Sequence, residues 1–585
     1  MANDPILSRL PYREIWVCDW EFNGADGDIK SPVCLTATEL RTNRLVRLWA
    51  DQLGDRAPYA LDKDSLFIAY FASAEFSCHL ALGWPLPETV LDLFTQFRAR
   101  MNSDPVIVDG NGEINALNEF RIDNMGQAVK DANRDFILAL NQWICAPEDR
   151  QRVLDYCQRD TDDTVKLFYA MAPRIEWPYA LIRGRYMKAV ARMEHTGVPI
   201  DVPTFRLLRD NWGTIRRQLV EPINAKFGFV YDEELSFREQ RFANWLAENQ
   251  MPWPKLPSGD LDLQDKTFKR MATRYGQIEE LRELRKTLSQ VRPDTLAVGS
   301  DGFTRCLLSP FASKTGRNQP RKSIFGAASW MRHLIKAPEG YAVVYCDYSQ
   351  EEFGVAARLS NDPVMLAAYQ SGDSYLGFGK QAHTVPEYAT KQTHPEIRER
   401  YKTGILSTQY DTTARTLAFV IKEPPCVAKR MIHQHHLLYR KYWEWSETVI
   451  NHAKLFHYIR TSLGWRMRVT AGTKSRTLRN WPIQAAGAEI IRLLCCEATE
   501  QGLRICIPVH DAVLLLSPLD RVEDDVRRLL FLMEQASALI LGGLNLRAEP
   551  HDFPYPQRYQ DDKGASMWEK VQALMRLYGW RGDAI

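Results

Sequence analysis

Residues 504–518 read RICIPVHDAVLLLSP, two apolar runs of strand length that meet at the pair His510-Asp511. Such runs are made for burial, and their junction reads as a hairpin turn. An ionised aspartate costs several kcal/mol to bury unpaired, so Asp511 must face a cation, a partner charge or solvent. A solvent-exposed turn would satisfy that requirement on its own. A second aspartate in a matching setting changes the balance: YAVVYCDYSQEEF at 341–353 is an apolar strand that ends at Asp347, and a helix-like stretch follows over 349–362. Two strand-end carboxylates brought together in one sheet can hold two divalent cations about 4 Å apart, an arrangement suited to activating a hydroxyl and stabilising a leaving pyrophosphate.

Between the two aspartates lies RERYKTGILSTQY, which sets Arg398, Lys402, Leu406 and Tyr410 four residues apart. That spacing puts them on one helical face, with two cations placed to clamp a triphosphate and an aromatic ring two turns beyond the lysine. A solvated basic face would explain the arginine and lysine but not the tyrosine.

The remainder of the chain sets bounds. With 585 residues it exceeds a single core, and ordinary domain sizes give about three to five units. Charged residues at 25% and hydrophobic ones at 45% are ordinary globular values. The formal charge of +2 neither supports nor excludes a nucleic-acid partner, because such partners read local patches. One patch is KTGRNQPRK at 314–322, with four basic residues and no acid. The eleven cysteines are scattered without a CxxC pair, which fits reduced thiols. The N-terminus lacks the apolar core of a signal peptide, and LLFLMEQASALILGG at 529–543 is broken by Glu534 and Gln535 and too short to span a bilayer. The expectation is a soluble cytoplasmic protein with no membrane partner.

The first 170 residues read as mixed α/β: IWVCDWEF, KSPVCLTATEL and NRLVRLWA as strands, then FIAYFASAEF, then helical periodicity through ETVLDLFTQFRAR and RDFILALNQWI. From 176 to about 300 the pattern is helical and charge-rich. Pro-rich joints near 172–178 and 252–258 are the expected boundaries, too short for flexible linkers, so the units should pack tightly. In the front part Asp19 and Glu21 alternate along a strand and share a face, while Tyr156 and Asp160 in DYCQRDTDDTVKLF share a helical face. Carboxylates that hold metals beside a tyrosine that orients a water would suit hydrolysis of a phosphodiester.

These residues carry a resemblance. Asp347-Tyr348-Ser349-Gln350 with Glu352 resembles the first polymerase motif of family A DNA polymerases, the bacterial DNA polymerase I group. The Arg398, Lys402, Tyr410 series is similar to its fingers helix, and Val509-His510-Asp511 to its third motif. KTGR at 314–317, NWPIQAAGAEII at 480–491 and MEHTGVPID at 193–201 fall in the family's order, so the likeness covers roughly 185 to 555. It implies an α/β multidomain chain: a 3′–5′ exonuclease domain of RNase H-like fold over 1–175, then a right-hand polymerase over 176–585, with thumb about 205–300, palm about 303–362 and 495–585, and fingers about 363–490.

By the same resemblance Asp347 and Asp511 bind two Mg²⁺ ions, with Mn²⁺ able to substitute and the Tyr348 carbonyl assisting. Arg398 and Lys402 hold the incoming deoxynucleoside triphosphate, Lys402 as proton donor to pyrophosphate. Tyr410 stacks near the nascent pair, Gln350 and Glu352 belong to the nucleotide site, and Glu352 is the steric gate against a ribose 2′-hydroxyl. His510 positions the primer end, and Arg317, Arg476, Asn480 and Gln484 contact primer-template DNA. The front domain resembles the proofreading exonuclease of DEDD type with a tyrosine: Asp19, Glu21, Glu75 and Asp160 as metal ligands and Tyr156 orienting the water. Glu75 stands in IAYFASAE where the family has aspartate and Phe71 where it has asparagine, and Asp92 is a fallback ligand. Further departures are Glu351 for an apolar residue, Gly354 for arginine, Leu406 for an aromatic, Asp411 for glycine and Ala512 for glutamate.

No 5′-nuclease domain is expected, since only a short lead precedes residue 15. The exonuclease-plus-polymerase layout resembles phage replicative polymerases, which implies a monomer in the cytoplasm of an infected bacterial host, served by phage replication accessory proteins. It is also similar in layout to polymerases of phages that replace adenine with 2-aminoadenine. The competing readings are a single-subunit RNA polymerase, against which Glu352 and the exonuclease argue, and a nuclease-only DNA-binding protein with an inactive polymerase domain.

Overall fold

Ile15, Trp16, Val17 and Cys18 are all buried, because strand β1 (Glu14–Asn23) is covered on both faces. The computed structural model describes residues 4–291 and 293–582, with residue 294 described in its backbone alone. In the front sheet β1 pairs antiparallel with β2 (Ser31–Glu39), which pairs antiparallel with β3 (Leu45–Trp49). On its other side β1 runs parallel to β4 (Ser65–Ala69), and β4 parallel to β5 (Thr89–Asp92), giving the order β3-β2-β1-β4-β5. Strand alternation splits the core in two. Trp16, Cys18 and Phe67 pack with Phe76 of α1 (Ala72–Ala81), while Ile15, Val17 and Ile68 pack with Phe97 of α2 (Leu93–Ser103) and Leu167 and Phe168 of α5 (Pro147–Met171). Asp19 and Glu21 continue the row of Ile15 and Val17, so they come out on the α5 face.

Two helical expectations are corrected here. ETVLDLFTQF begins as strand β5, because parallel pairing with β4 captures Thr89–Asp92. The turn to α2 then comes at Asp92, whose carboxylate accepts the Thr95 amide at 2.6 Å as an N-cap. RDFILALNQWI is helical only to Ala139, in α4 (Gln127–Ala139), which follows the short α3 (Glu113–Glu119). Beyond it the Asn23 amide binds the Leu140 carbonyl at 2.9 Å and the Gln142 side chain at 3.0 Å, pinning the chain to the end of β1.

The joint near 172–178 leads straight into α6 (Trp177–Thr196), which packs against α1 and β5 of the front sheet and against the strand Arg504–Val509. Gly184 makes this approach possible: a Cβ there would lie 2.0 Å from the Val90 carbonyl oxygen. Arg98 donates to the carbonyls of Phe311 and Ala312, and Asn102 to that of Lys314. The front unit therefore sits directly on the next, as the short joints predict.

A second, antiparallel sheet has the order Arg504–Val509, Ala512–Pro518, Tyr341–Tyr348, Ala548–Pro554. The helices Ser475–Glu500 and Val522–Ile540 pack against it, and a largely helical stretch runs from Pro363 to Phe456 between the strands Tyr341–Tyr348 and Arg504–Val509 in chain order. One apolar core runs from Tyr186 to Met575. No helix among the described residues is long and apolar enough to cross a membrane.

Candidate active site

The register of the second sheet decides where its acids fall. Asp347 pairs with Ala512 on one neighbour and Glu549 on the other. Asp511 at the hairpin tip then lies beside the end of the central strand, and its carbonyl accepts the Tyr348 amide at 3.1 Å. His510 makes the turn with φ of 55° and is exposed. The Tyr348 hydroxyl is buried and donates to the Met533 carbonyl at 2.6 Å, so this side chain belongs to the core.

Burial, then the charge of Asp511, raises the Asp347 carboxyl, and Glu549 adds to the effect. His551, 3.6 Å away, opposes it. Asp511 is raised chiefly by burial, against the pull of Arg317, His510 and Lys402. Asp347 Oδ1 is buried without a hydrogen-bond partner. Two hard oxygen donors with incomplete compensation suit divalent cations such as Mg²⁺.

Glu351 joins this group from the helix Glu351–Ser360. It is 3% exposed, its Oε1 has no partner, and burial followed by the Asp511 charge pushes it up to about 8. Gly487 leaves room for it, since a Cβ there would lie 2.6 Å from Glu351 Oε1. The helix Pro395–Gln409 holds Arg398, Lys402 and Leu406, with Tyr410 as its C-cap. Arg398 pairs with Asp373 and lies over the Tyr375 ring at 5.5 Å. Lys402 is half-exposed, with the Glu399 carboxylate at 3.9 Å, and its charge reaches Asp511. The Tyr410 hydroxyl is buried and raised by that burial and then by Glu352, which it faces.

Gln350 has φ of 59°, and its side chain accepts the Ser374 amide at 2.7 Å and donates to Gly372 at 3.3 Å. It is thus taken up in pinning the helix Ser374–Gln381. Arg476 donates to the Asp411 carbonyl at 2.6 Å. Arg317 Nε and Asn480 Oδ1 are buried polar atoms without partners, and Gln484 is half-buried nearby on the helix of Asn480.

The front sheet assembles a separate acidic site. Ligand atoms of Asp19, Glu21 and Cys157 lie within 4.8 Å of one another, and Cys157 Sγ is 3.4 Å from Asp19 Oδ2. Glu75, on α1, is 6% exposed with Oε2 unpartnered. Burial, then the Glu75 charge, raises Asp19 well above the usual range; burial, then Glu21, does the same to Glu75. Burial, then Asp160, takes Glu21 to about 8, and burial, then Glu113, takes Asp160 to about 6. The Tyr156 hydroxyl is raised by burial and then by Asp160, Glu21 and Asp19. The five expected residues thus feel one another's charges, but only Asp19 and Glu21, with Cys157, come within ligating distance of one another among the described residues. Asp92 instead spends its oxygens on the amides of Ala72 and Thr95.

Residues 317–548 match the family model described as DNA polymerase family A. That stretch of the chain is similar to DNA polymerase family A. The thermostable DNA polymerase I of Thermus thermophilus is 26% identical over 387 residues, 60% of this chain and 45% of that protein. DNA polymerase I of Aquifex aeolicus is 23% identical over 396 residues, 64% of this chain and 66% of that one. The chain thus spans about half to two thirds of these relatives' length. A solved structure of the POL domain of Pol1 from M. smegmatis, in complex with DNA primer-template and dNTP, superposes with a TM-score of 0.68 at 19% identity, covering 94% of this chain and 96% of that one. The likeness at that identity concerns the fold.

Several departures from the family A pattern acquire physical reasons. A Cβ at Gly354 would lie 2.6 Å from Leu546 and 2.9 Å from the Tyr369 ring, so this packing excludes an arginine. Asp411 adopts φ of 62°, the left-handed conformation that glycine favours and aspartate tolerates. Ala512 lies directly opposite Asp347 and adds no acid, whereas Glu351 brings one to Asp511 from another element. Sequence reasoning missed Glu549 and His551, although their spacing in AEPHDFP puts both on the face of Asp347. It also missed Asp373, Glu113 and Lys130, which no local pattern marks.

Proposed function

We propose that this chain is a template-directed DNA polymerase that extends a primer 3′-hydroxyl with deoxynucleoside triphosphates, with a 3′–5′ proofreading exonuclease in residues 1–175 and the polymerase in 176–585. The observation that carries the reading is the sheet register that sets Asp347 beside Asp511 with Lys402 facing them. Bound there, two Mg²⁺ ions would supply Lewis-acid stabilisation of the attacking and leaving oxygens. Asp347 and Asp511 provide the oxygen donors, Lys402 presents an ammonium to the phosphates and a proton to departing pyrophosphate, and Tyr410 closes the base side. Glu352, against Tyr410, stands as the wall that excludes a 2′-hydroxyl. Arg398 reaches a triphosphate by exchanging Asp373 for phosphate oxygens. The test is single-nucleotide addition to a primer-template with deoxy- and ribonucleoside triphosphates in separate reactions. Preference for the deoxy form supports the reading, and preference for ribonucleotides would transfer it to RNA synthesis.

In the front unit, the order β3-β2-β1-β4-β5 with acids on β1, α1 and α5 supports the RNase H-like exonuclease. Tyr156 would orient the water that attacks the terminal phosphodiester. We assign the whole to phage DNA replication. The unpartnered acceptor Asn480 Oδ1 is a group that could meet the 2-amino donor of 2-aminoadenine in the minor groove. Competing the two purine triphosphates opposite template thymine tests that preference, which equal incorporation and equal excision would remove.

A further inference from the structure

Helix α4 carries a cation into the front acidic site. Lys130 Nζ lies 3.1 Å from Asp160 Oδ2 and also pairs with Glu113. Glu113 is held in turn by the Thr164 hydroxyl at 2.8 Å, from the same helix as Asp160. The Lys130 side chain is 23% exposed, and those of its two partners 6% and 9%, so this ammonium is a fixed part of the site. Among the described residues Asp19 and Glu21 make no ion pair of their own with a lysine or arginine, although the Lys130 charge reaches both, and Glu75 Oε2 is buried without a hydrogen-bond partner.

We propose that Lys130 is a built-in cation that takes the place of one of two divalent ions, so that the front site binds a single ion at Asp19 and Glu21 while the ammonium holds Asp160 and Glu113. The inference rests on the exonuclease reading above and narrows it. A divalent ion bound through Asp160 Oδ2 would have to displace a hydrogen-bonded ammonium and then sit beside its positive charge. A close-packed second ion is thereby disfavoured, and Asp160 stays fixed to present Tyr156, one turn before it, to the water. Arg134, one turn after Lys130 and exposed, shares its helix face, and its charge reaches Glu21, which suits it to a phosphate entering the site.

The experiment counts ions. Full-length protein carrying Asp347→Asn and Asp511→Asn, which silence the other site, is titrated with Mn²⁺ and the bound ions are counted by electron paramagnetic resonance. One ion is expected with Lys130 present, and two in Lys130→Met, which keeps the aliphatic stem but frees Asp160 and Glu113. Lys130→Arg, which keeps a cation, should return the count to one, and the second ion's affinity should differ about tenfold or more between the Arg and Met variants. Two closely spaced ions in the protein with Lys130, or an unchanged count in Lys130→Met, would overturn the inference while leaving the exonuclease reading standing. A count that Asp19→Asn does not reduce would overturn both.

Discussion

Replacing Glu351 by glutamine isolates the cost of a carboxyl buried beside Asp511. Burial pushes this group from an ordinary 4.5 up to about 8. Between those values the folded chain retains a proton that the unfolded chain has released. The unfolded state binds fewer protons there, so stability falls as pH rises, by about 1.4 kcal/mol per pH unit. The loss begins near the unfolded value and is complete above about pH 8. From pH 5.5 to 7.5 the wild type should lose roughly 2–3 kcal/mol through this one group, whereas Glu351→Gln, neutral and of the same shape, has nothing to titrate. Any fixed penalty of the amide is equal at both pH values and cancels in the comparison. Urea unfolding followed by tryptophan fluorescence at the two pH values gives the difference between variant and wild type. That difference should move toward the variant by the stated amount. A pH-independent difference, within about 0.5 kcal/mol, would show Glu351 to be ionised in the folded chain and would refute the argument.

Three further outcomes follow from the geometry. Glu352→Ala should retain extension with deoxynucleotides while raising ribonucleotide incorporation by about 10–100-fold, the scale of one lost steric contact, as measured by single-nucleotide kinetics. Gly184→Ala, whose Cβ would meet the Val90 carbonyl at 2.0 Å, should destabilise the joint between the two units by about 1–3 kcal/mol despite the gain in helix propensity, seen as a fall in the melting temperature. In the front site a metal competes with protons for Glu21, near 8, and for Asp19, raised well above the usual carboxylate range. Primer shortening at limiting Mg²⁺ should therefore rise from pH 6 to 8, and a flat profile would contradict those assignments.

What the sequence makes legible is what local pattern encodes. Strand runs ending in Asp347 and Asp511 could be read directly, because burial on both faces leaves an unbroken apolar signature. Four-residue spacing located the helix of Arg398 and Lys402, and alternation located Asp19 and Glu21. Pairing between distant segments is not written in this way. ETVLDLF has helical spacing, yet its first half is drawn into β5 by β4, a partner some twenty residues upstream. Glu549 and His551 reach Asp347 only through a sheet register, and Asp373 reaches Arg398 only through the packing of two helices. Glu351 looked like a bare departure until Gly487, on another helix, was seen to leave space for it. Lys130 lies in an amphipathic, mostly exposed helix, where a lysine carries no signal of its own.

The central claim is that Asp347 and Asp511 form a working polymerase site. Its most direct test is extension of a labelled primer on a DNA template with Mg²⁺, with and without deoxynucleotides, for the wild type and for Asp347→Ala. The account predicts full extension by the wild type, none by the variant, and primer shortening by both when nucleotides are withheld. Well-folded wild-type protein that shortens the primer but never extends it, or extension that survives loss of Asp347, would contradict the account.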